Sequence, residues 1–350
     1  MSFIVPDELR FAITRKCDGG CRHCYNLSGK DTDRLSADDF IGLIKVVNTV
    51  NPGFDRITLT GGEPMNEKVK LLTISRFAKS LGIRVRLVTR GWELTPEICT
   101  ELKEAGVTRV QIGLDSSGEY VYGDDTEIRW DTFHSWLRSD ESGFKKSVNA
   151  IRMAVEGGMD VSVRYSLCLS NLKDVVKTYQ LISALGASKF KFRVLFPDGR
   201  AKARLRQEII SGKDMANAQH SLIKASKGNK TIVEITQPCM YSIPGHPVST
   251  ASSGYSAFKE ACSCGKTAAY IDSNGDVKYC LFDESVIGNV CDNPFLEIWN
   301  SDLAEKVREQ RCPMDQSGNK CSSFKVLYSE FGDFRTFMND YVKGVHEIND

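Results

Sequence analysis

The chain has 350 residues, with 46 basic and 45 acidic side chains, and its net charge of +1 excludes the charge surplus of a general nucleic-acid or membrane-surface binder. No apolar run is long enough for a transmembrane helix and no charged-then-apolar leader opens the chain, which predicts a cytoplasmic globular protein with room for two cored domains. Its 12 cysteines, in that reducing setting and in ligand-like spacings, predict metal sites rather than disulfides.

The first element is a strand over 9–14, and it runs into Cys17, Cys21 and Cys24, spaced C-x-x-x-C-x-x-C. All three thiolates can converge within one loop. Structural zinc takes four ligands, usually as two separated pairs. Electron-transfer clusters ordinarily take four cysteines. A triplet instead holds three irons of a [4Fe–4S] cube and leaves the fourth iron open. Zinc with His23 as a fourth ligand is the competing reading, but His23 lies inside the triplet and would crowd the loop. A second strand, 57–60, runs into Gly61-Gly62-Glu63-Pro64. Two glycines let backbone approach a ligand closely, and Pro64 rigidifies the turn.

Further strands are expected at 84–89, 109–114, 160–168 and 189–196, with amphipathic helices at 36–50, 68–81, 96–105, 145–156 and 172–185. Ser36 and Asp39 form a helix start, as do Thr95 and Pro96, and Gly82, Gly106, Gly157 and Gly186 follow helix ends. Six β-α units imply a parallel sheet. Six are too few to close an eight-stranded barrel, so the expected fold is α/β, a partial (β/α)6 TIM-like barrel. Its site belongs at the C-terminal strand ends, where the cysteine loop and the glycine turn fall. The connection 119–143 carries Tyr120, Tyr122, Trp130, His134 and Trp136. A connection of that length is either functional or a surface insertion.

Near residue 226 the pattern breaks, and Pro238, Pro244, Pro247 and a Ser/Gly/Thr-rich stretch to Tyr255 read as loop. Cys262, Cys264, Cys280, Cys312 and Cys321 follow. Between Cys264 and Cys280, the pieces 268–273 and 276–278 flank Asn274-Gly275, a hairpin that brings those two cysteines together at its open end.

A cysteine triplet followed by Gly-Gly-Glu-Pro at the end of the second strand resembles the radical S-adenosylmethionine (SAM) enzymes. The resemblance implies the same partial barrel, and a [4Fe–4S] cluster on Cys17, Cys21 and Cys24 whose open iron is chelated by SAM. It implies that Gly61, Gly62, Glu63 and Pro64 bind the SAM amino group. Thr89-Arg90-Gly91 stands where the family often has Thr-Asn-Gly, and Thr89, Asp115 and Ser116 are expected at the ribose or methionine end. An ordinary turn is the plain reading of Asp115 and Ser116. The C-x10-G-x4-C element with Gly288-Asn289-Val290 resembles the SPASM auxiliary-cluster domain, called twitch when shortened. The C-x-x-C of the full form is absent, which implies the shortened form with one auxiliary [4Fe–4S] cluster. Its expected ligands are Cys264, Cys280, Cys312 and Cys321, with Cys262 contending for one place; Cys291 is left out. A structural zinc on the same four thiolates is the alternative. The expected division is 1–225 barrel, 226–325 auxiliary-cluster domain and 326–350 helical extension.

On the strand 160–168, period two places Val161, Val163, Tyr165 and Leu167 against helices, and Ser162, Arg164, Ser166 and Cys168 toward the lumen. Arg164 is then a candidate for the SAM carboxylate. Cys168, and Cys239 in a later loop, are candidate hydrogen-atom donors, each with an inert thiol as the plain reading. Cys99 on a helix reads as a small buried hydrophobe.

The reaction implied by the resemblance is one-electron reductive cleavage of SAM to methionine and a 5′-deoxyadenosyl radical, which takes a hydrogen atom from a substrate C–H bond. The expected substrate is a ribosomally made peptide, modified by oxidation or crosslinking. The alternative is dehydrogenation, epimerisation or decarboxylation of a sugar, aminocyclitol or nucleoside in antibiotic biosynthesis. A complete auxiliary ligand set favours net oxidation. The expected partners are a flavodoxin- or ferredoxin-type reductant and, because the cysteine loop begins at residue 17, a separate leader-binding protein if the substrate is a peptide. A non-enzymatic iron–sulfur carrier or sensor is the rival of another class, and a carrier needs no vacant iron.

Overall fold

In a computed structural model of the chain, all six expected strands form. The structure describes residues 4–119, 122–123, 129–196, 198–235, 265, 267–280 and 285–311, together with 336, 340, 343–344 and 347. In chain order the elements are β1 (Glu8–Thr14), α1 (Ala37–Val50), β2 (Arg56–Gly61), α2 (Lys68–Ser80), β3 (Arg84–Val88), α3 (Pro96–Glu104) and β4 (Val107–Gly113). A short hairpin of β5 (Tyr122–Gly123) and β6 (Arg129–Trp130) precedes α4 (Phe133–Arg138) and α5 (Gly143–Glu156). Then come β7 (Asp160–Leu167), α6 (Val175–Ala184), β8 (Lys189–Val194), α7 (Arg200–Arg204), α8 (Gly212–Ser226) and β9 (Ile232–Ile235). The chain continues through β10 (Ala268–Ile271), β11 (Asp276–Lys278), β12 (Val286–Asn289), α9 (Phe295–Trp299) and α10 (Asp302–Arg311).

Ten strands form one sheet in the order β12-β11-β10-β1-β2-β3-β4-β7-β8-β9. From β10 to β9 every neighbour is parallel. The α/β fold with a parallel sheet is therefore as expected, with β9 and β10 added to the six strands. Both lie in the range 226–325, yet they pair with β8 and β1, so the sheet runs across residue 225. The described residues beyond 326 are helical and reach α8, where Lys213 pairs with Glu347 at 2.6 Å.

Strand alternation separates two environments. Leu9, Phe11, Ile57, Leu59, Val85, Leu87, Val163 and Phe190 are fully buried in the core, with Phe40 and Ile44 of α1 and Leu71 and Ile74 of α2. Each such side chain contributes about 1.5–3 kcal/mol relative to exposure. Most of the alternate strand positions are polar, among them Glu8, Arg10, Thr58, Thr60, Arg86, Gln111, Arg164 and Lys191. Glu8 shows the cost of that face. Its carboxylate is 2% exposed and accepts from Arg10 (2.9 Å), Thr58 (2.8 Å) and Arg56 (3.1 Å). Burial alone would raise its pKa, but the two guanidiniums hold it down at about 2.

Helix starts follow the local signals. Ser36 and Asp39 form a reciprocal cap on α1, with Asp39 Oδ2 accepting from the Ser36 amide at 2.8 Å. Thr95 caps α3 with Pro96 at its first position. The hairpin between β10 and β11 forms, but its loop is four residues, 272–275, closed by the Gly275 amide on Asp272 O at 2.9 Å.

Candidate active site

The cysteine loop leaves the C-terminal end of β1, and the turn after β2 is built onto its root. The Gly62 amide donates to Thr14 O at 2.8 Å and the Glu63 amide to Lys16 O at 2.9 Å. A Cβ on Gly61 would stand 2.2 Å from Thr14 O, and one on Gly62 2.2 Å from Lys16 O. The sequence suggests glycines making room for a ligand. The structure shows them making room for the loop itself. Pro64, buried with Met65, opens a single turn of 3-10 helix.

Around this junction lies a cleft of about 110 Å³, open to solvent, at the C-terminal strand ends. Cys17, Cys21 and Cys24 line it, as do Gly61, Gly62, Glu63, Thr89 and Arg164. His23 also lines it, with Nδ1 buried and unpartnered among the described residues. Burial, with Arg138 nearby, holds the His23 pKa down at about 3, so its ring is neutral.

Glu63 is fully buried and ties the turn to the end of β3. Its carboxylate accepts from Thr89 Oγ1 (2.5 Å), Arg90 N (2.8 Å), Met65 N (3.1 Å) and Arg90 Nε (3.3 Å). Burial pushes its pKa up and these bonds oppose the rise. Arg90, at the position where the family often has Asn, continues to Asp18 at 2.6 Å and lies 4.5 Å over the Trp92 ring.

Asp115 and Ser116 do not line the cleft; they stand behind it. Asp115 Oδ1 accepts from Ser166 N at 2.8 Å and Oδ2 from Arg138 Nη2 at 3.1 Å. Burial alone would raise the Asp115 pKa, but the Arg138 guanidinium holds it well below the usual carboxylate range. The Asp115 amide donates to His134 Nδ1 at 3.0 Å, which leaves the ring proton on Nε2, facing Ser147 Oγ at 3.0 Å. Burial holds His134 neutral, in keeping with that tautomer. Ser116 Oγ accepts from Gly118 N at 3.2 Å, the ordinary turn role.

The connection 119–143 is not a surface insertion at its α4 end. Every side chain of α4 is buried, and the Arg22 amide donates to Leu137 O at 2.8 Å while Ser139 Oγ donates to Gly20 O at 3.1 Å. Arg22 also stacks over Trp136 at 4.7 Å. From the other side, Arg200 N donates to Cys24 O at 2.9 Å and its guanidinium reaches Gly19 O and Cys21 O, each at 3.4 Å. Gly199 permits this approach, since its Cβ would stand 2.5 Å from Cys24 O. Sequence reasoning missed Arg138 and Arg200. Arg200 had a usable signal, a Gly-Arg pair just past a barrel strand. Arg138 had none beyond its helix.

Cys168 is corrected. Alternation aims it at the lumen, but β7 ends at Leu167 and the chain turns. Its thiol is fully buried in a cluster with Phe133, Trp136, Leu137 and Leu195, donates to Ser166 O at 3.5 Å and does not line the cleft. Burial pushes that thiol well up. Cys99 is buried as expected. Cys280 is buried just past β11, at the end of the hairpin away from its loop, and Cys291 is exposed. Cys239, Cys262, Cys264, Cys312 and Cys321 lie outside the described residues, as does Tyr120.

The three thiols line the cleft without closing on one point, and among the described residues no trio of His, Cys, Asp or Glu does so. Three thiols of one short loop facing one cleft fit a cube, in which each iron takes its own thiolate. Gly19 adds a hollow between them, since a Cβ there would lie 3.3 Å from Cys17 Sγ and 3.6 Å from Cys21 Sγ.

The sequence pattern of the radical SAM superfamily matches residues 11–182. The chain belongs to the radical SAM superfamily. The pattern of the SPASM iron–sulfur cluster-binding domain matches residues 262–322. This radical SAM protein is an enzyme, and its cofactors are SAM with a [4Fe–4S] cluster and an auxiliary iron–sulfur cluster. It is similar to the AdoMet-dependent heme synthase of Methanosarcina barkeri, 27% identical over 346 residues and 94% of each chain. It is also similar to a probable GTP 3′,8-cyclase of Saccharolobus islandicus, 26% identical over 87% of this chain and 90% of that one. Among solved structures, SuiB of Streptococcus suis bound to S-adenosylmethionine superposes with a TM-score of 0.66 at 14% identity, over 88% of this chain and 69% of that one. The enzyme anSMEcpe with bound AdoMet superposes with a TM-score of 0.65 at 15% identity, over 97% and 99%. Among the described residues no helix is long and apolar enough to cross a membrane.

Proposed function

We propose that Cys17, Cys21 and Cys24 hold the [4Fe–4S] cluster at which SAM is cleaved, and that the enzyme carries out a net oxidation of its substrate in the same cleft. The observation behind this is the meeting of three thiols, the Gly61–Glu63 turn and Arg164 in one cleft at the strand ends. Loaded and reduced, the cluster and SAM supply a 5′-deoxyadenosyl radical that takes a hydrogen atom from a C–H bond. The chain's part is placement. Backbone of the glycine turn and Thr89 border the methionine end, and Arg164, which has no carboxylate partner among the described residues, is the counter-charge for the SAM carboxylate. Walls of α4 and the β8–α7 loop limit water at the cysteines. Cys280 contributes to the auxiliary cluster within the region 262–322 that the SPASM pattern covers, and a flavodoxin- or ferredoxin-type protein supplies the electron. Addition of SAM to the reduced enzyme changes the EPR signal of its open-iron cluster. The same change in a variant with Ala at all three cysteines would contradict the assignment.

The substrate reading we favour is a small molecule with anionic groups. Arg90, Arg138 and Arg164 all line the cleft. The relatives that match nearly end to end are named for the small molecules heme and GTP. A peptide is the second reading, favoured by the likeness to SuiB bound to precursor peptide SuiA; it brings with it a leader-binding partner. Release of 5′-deoxyadenosine stimulated by small polyanionic compounds and not by short peptides supports the first; the reverse pattern supports the second.

A further inference from the structure

Two buried carboxylates each hold an arginine against the cysteine loop. On one side, Glu63 binds the Arg90 amide and Nε, and Asp18 takes Nη2. This leaves Nη1 toward the loop, 3.1 Å from where a Gly19 Cβ would stand, with Cys17 Sγ 3.3 Å from the same point. The absent side chain at Gly19 is what lets guanidinium and thiol face each other. On the other side, Asp115 binds Arg138 Nη2, and Arg138 faces the same cleft as Cys21, held there because its neighbours Leu137 and Ser139 bond the loop at Arg22 N and Gly20 O, on either side of that cysteine. Its path crosses the backbone of Gly113, where a Cβ would stand 2.1 Å from Nη2. The two guanidinium side chains are 7% and 10% exposed, so water screens them little.

We propose that Arg90 and Arg138 set the reduction potential of the cluster on Cys17, Cys21 and Cys24, raising it by placing one fixed positive charge beside each of two ligand sulfurs. The inference rests on the cluster assignment above. Reduction adds one electron, from a flavodoxin- or ferredoxin-type donor, to a cluster already carrying three thiolates. The extra negative charge is confined to the cube, and no proton need accompany it. A cation held a few ångströms from the sulfurs in a low-dielectric wall stabilises the reduced form more than the oxidised one. A neutral side chain could brace the loop as well, since α4 and Arg200 already hold it through backbone bonds, but it could not supply this term. Glu63 and Asp115 orient the arginines. Together with Asp18 and Glu93, which meet Arg90 Nη2 at 2.6 and 3.4 Å, they offset part of the charge, but each lies on the edge of the guanidinium that its own bonds occupy, and the Nη1 edge of Arg90 is the one turned to Cys17. Arg90 and Arg138 are thus positioning residues for charge, not groups that touch the reacting atoms.

The test uses the full-length reconstituted enzyme. Arg90→Gln, Arg138→Gln, Arg90→Lys and Arg138→Lys are compared with wild type in an EPR-monitored redox titration, following only the signal that SAM addition changes. Both Gln variants are expected to keep their iron and to shift to a more negative midpoint potential, with the Lys variants recovering most of the shift. Unmoved potentials in the Gln variants, Lys variants that shift as far as Gln, or loss of iron from the Gln variants would each overturn the proposal. A wild-type enzyme with no SAM-sensitive signal would instead overturn the cluster assignment on which it rests.

Discussion

The amide of Gly62 donates to the carbonyl of Thr14 at 2.8 Å, and there is no room at Gly62 for a side chain, with Lys16 O 2.2 Å from the Cβ position. The turn expected to touch SAM is therefore also the clamp that fixes the cysteine loop. Gly62→Ala must push two backbone segments apart, a strain of about 1–3 kcal/mol by analogy with overpacked cores. The variant is expected to fold, with a lowered melting temperature and fewer irons bound at the SAM site. Full iron content with wild-type melting would show that the contact is not needed.

Glu8 links the lumen to pH. Its folded pKa of about 2 lies below the model-peptide value of 4.5. A depressed carboxylate stabilises the fold above the unfolded value and loses that contribution as pH falls from 4.5 toward 2, at most about 3 kcal/mol. The unfolding free-energy gap between wild type and Glu8→Gln should be widest above pH 4.5 and close as acid is added. A gap independent of pH would sever the link to ionisation.

Asp115 pairs Arg138 in a buried setting, so its neutral replacement leaves a guanidinium unpaired. Asp115→Asn should cost about 3–5 kcal/mol in urea denaturation. A loss under about 1 kcal/mol would mean that the pair is not electrostatically coupled.

Much of the site was legible because its chemistry is written locally. Cys17, Cys21, Cys24 and Gly61–Pro64 are short-range signals, and the six strands carry period-two patterns ending in polar residues. What was not legible depends on partners far along the chain. The four-residue strand Ile232–Ile235 is short and precedes a proline-rich stretch, so its pattern looked like the end of the barrel. Ala268–Ile271 reads correctly as a hairpin arm, yet nothing in those four residues says that they pair with Glu8–Phe11. Cys168 was misplaced because alternation was carried one residue past the strand end. Arg138 looks like any helix-terminal arginine until Asp115 is beside it.

The position of Cys168 bears on the outcome of the reaction. A thiol hydrogen donor must face the substrate, and this one is sealed behind α4 and β7. In deuterated solvent the product is expected two mass units lighter than substrate, without deuterium at the reacting carbon. Cys168→Ala should leave SAM cleavage and product unchanged. A deuterated, inverted product lost in that variant would reverse the preference for oxidation over epimerisation.

The most direct measurement of the central claim is 5′-deoxyadenosine formation by anaerobically reconstituted enzyme with dithionite and SAM. Wild type should form it, and the variant with Cys17, Cys21 and Cys24 all changed to Ala should form none while retaining the irons of the auxiliary cluster. Undiminished 5′-deoxyadenosine from the triple variant would contradict the account.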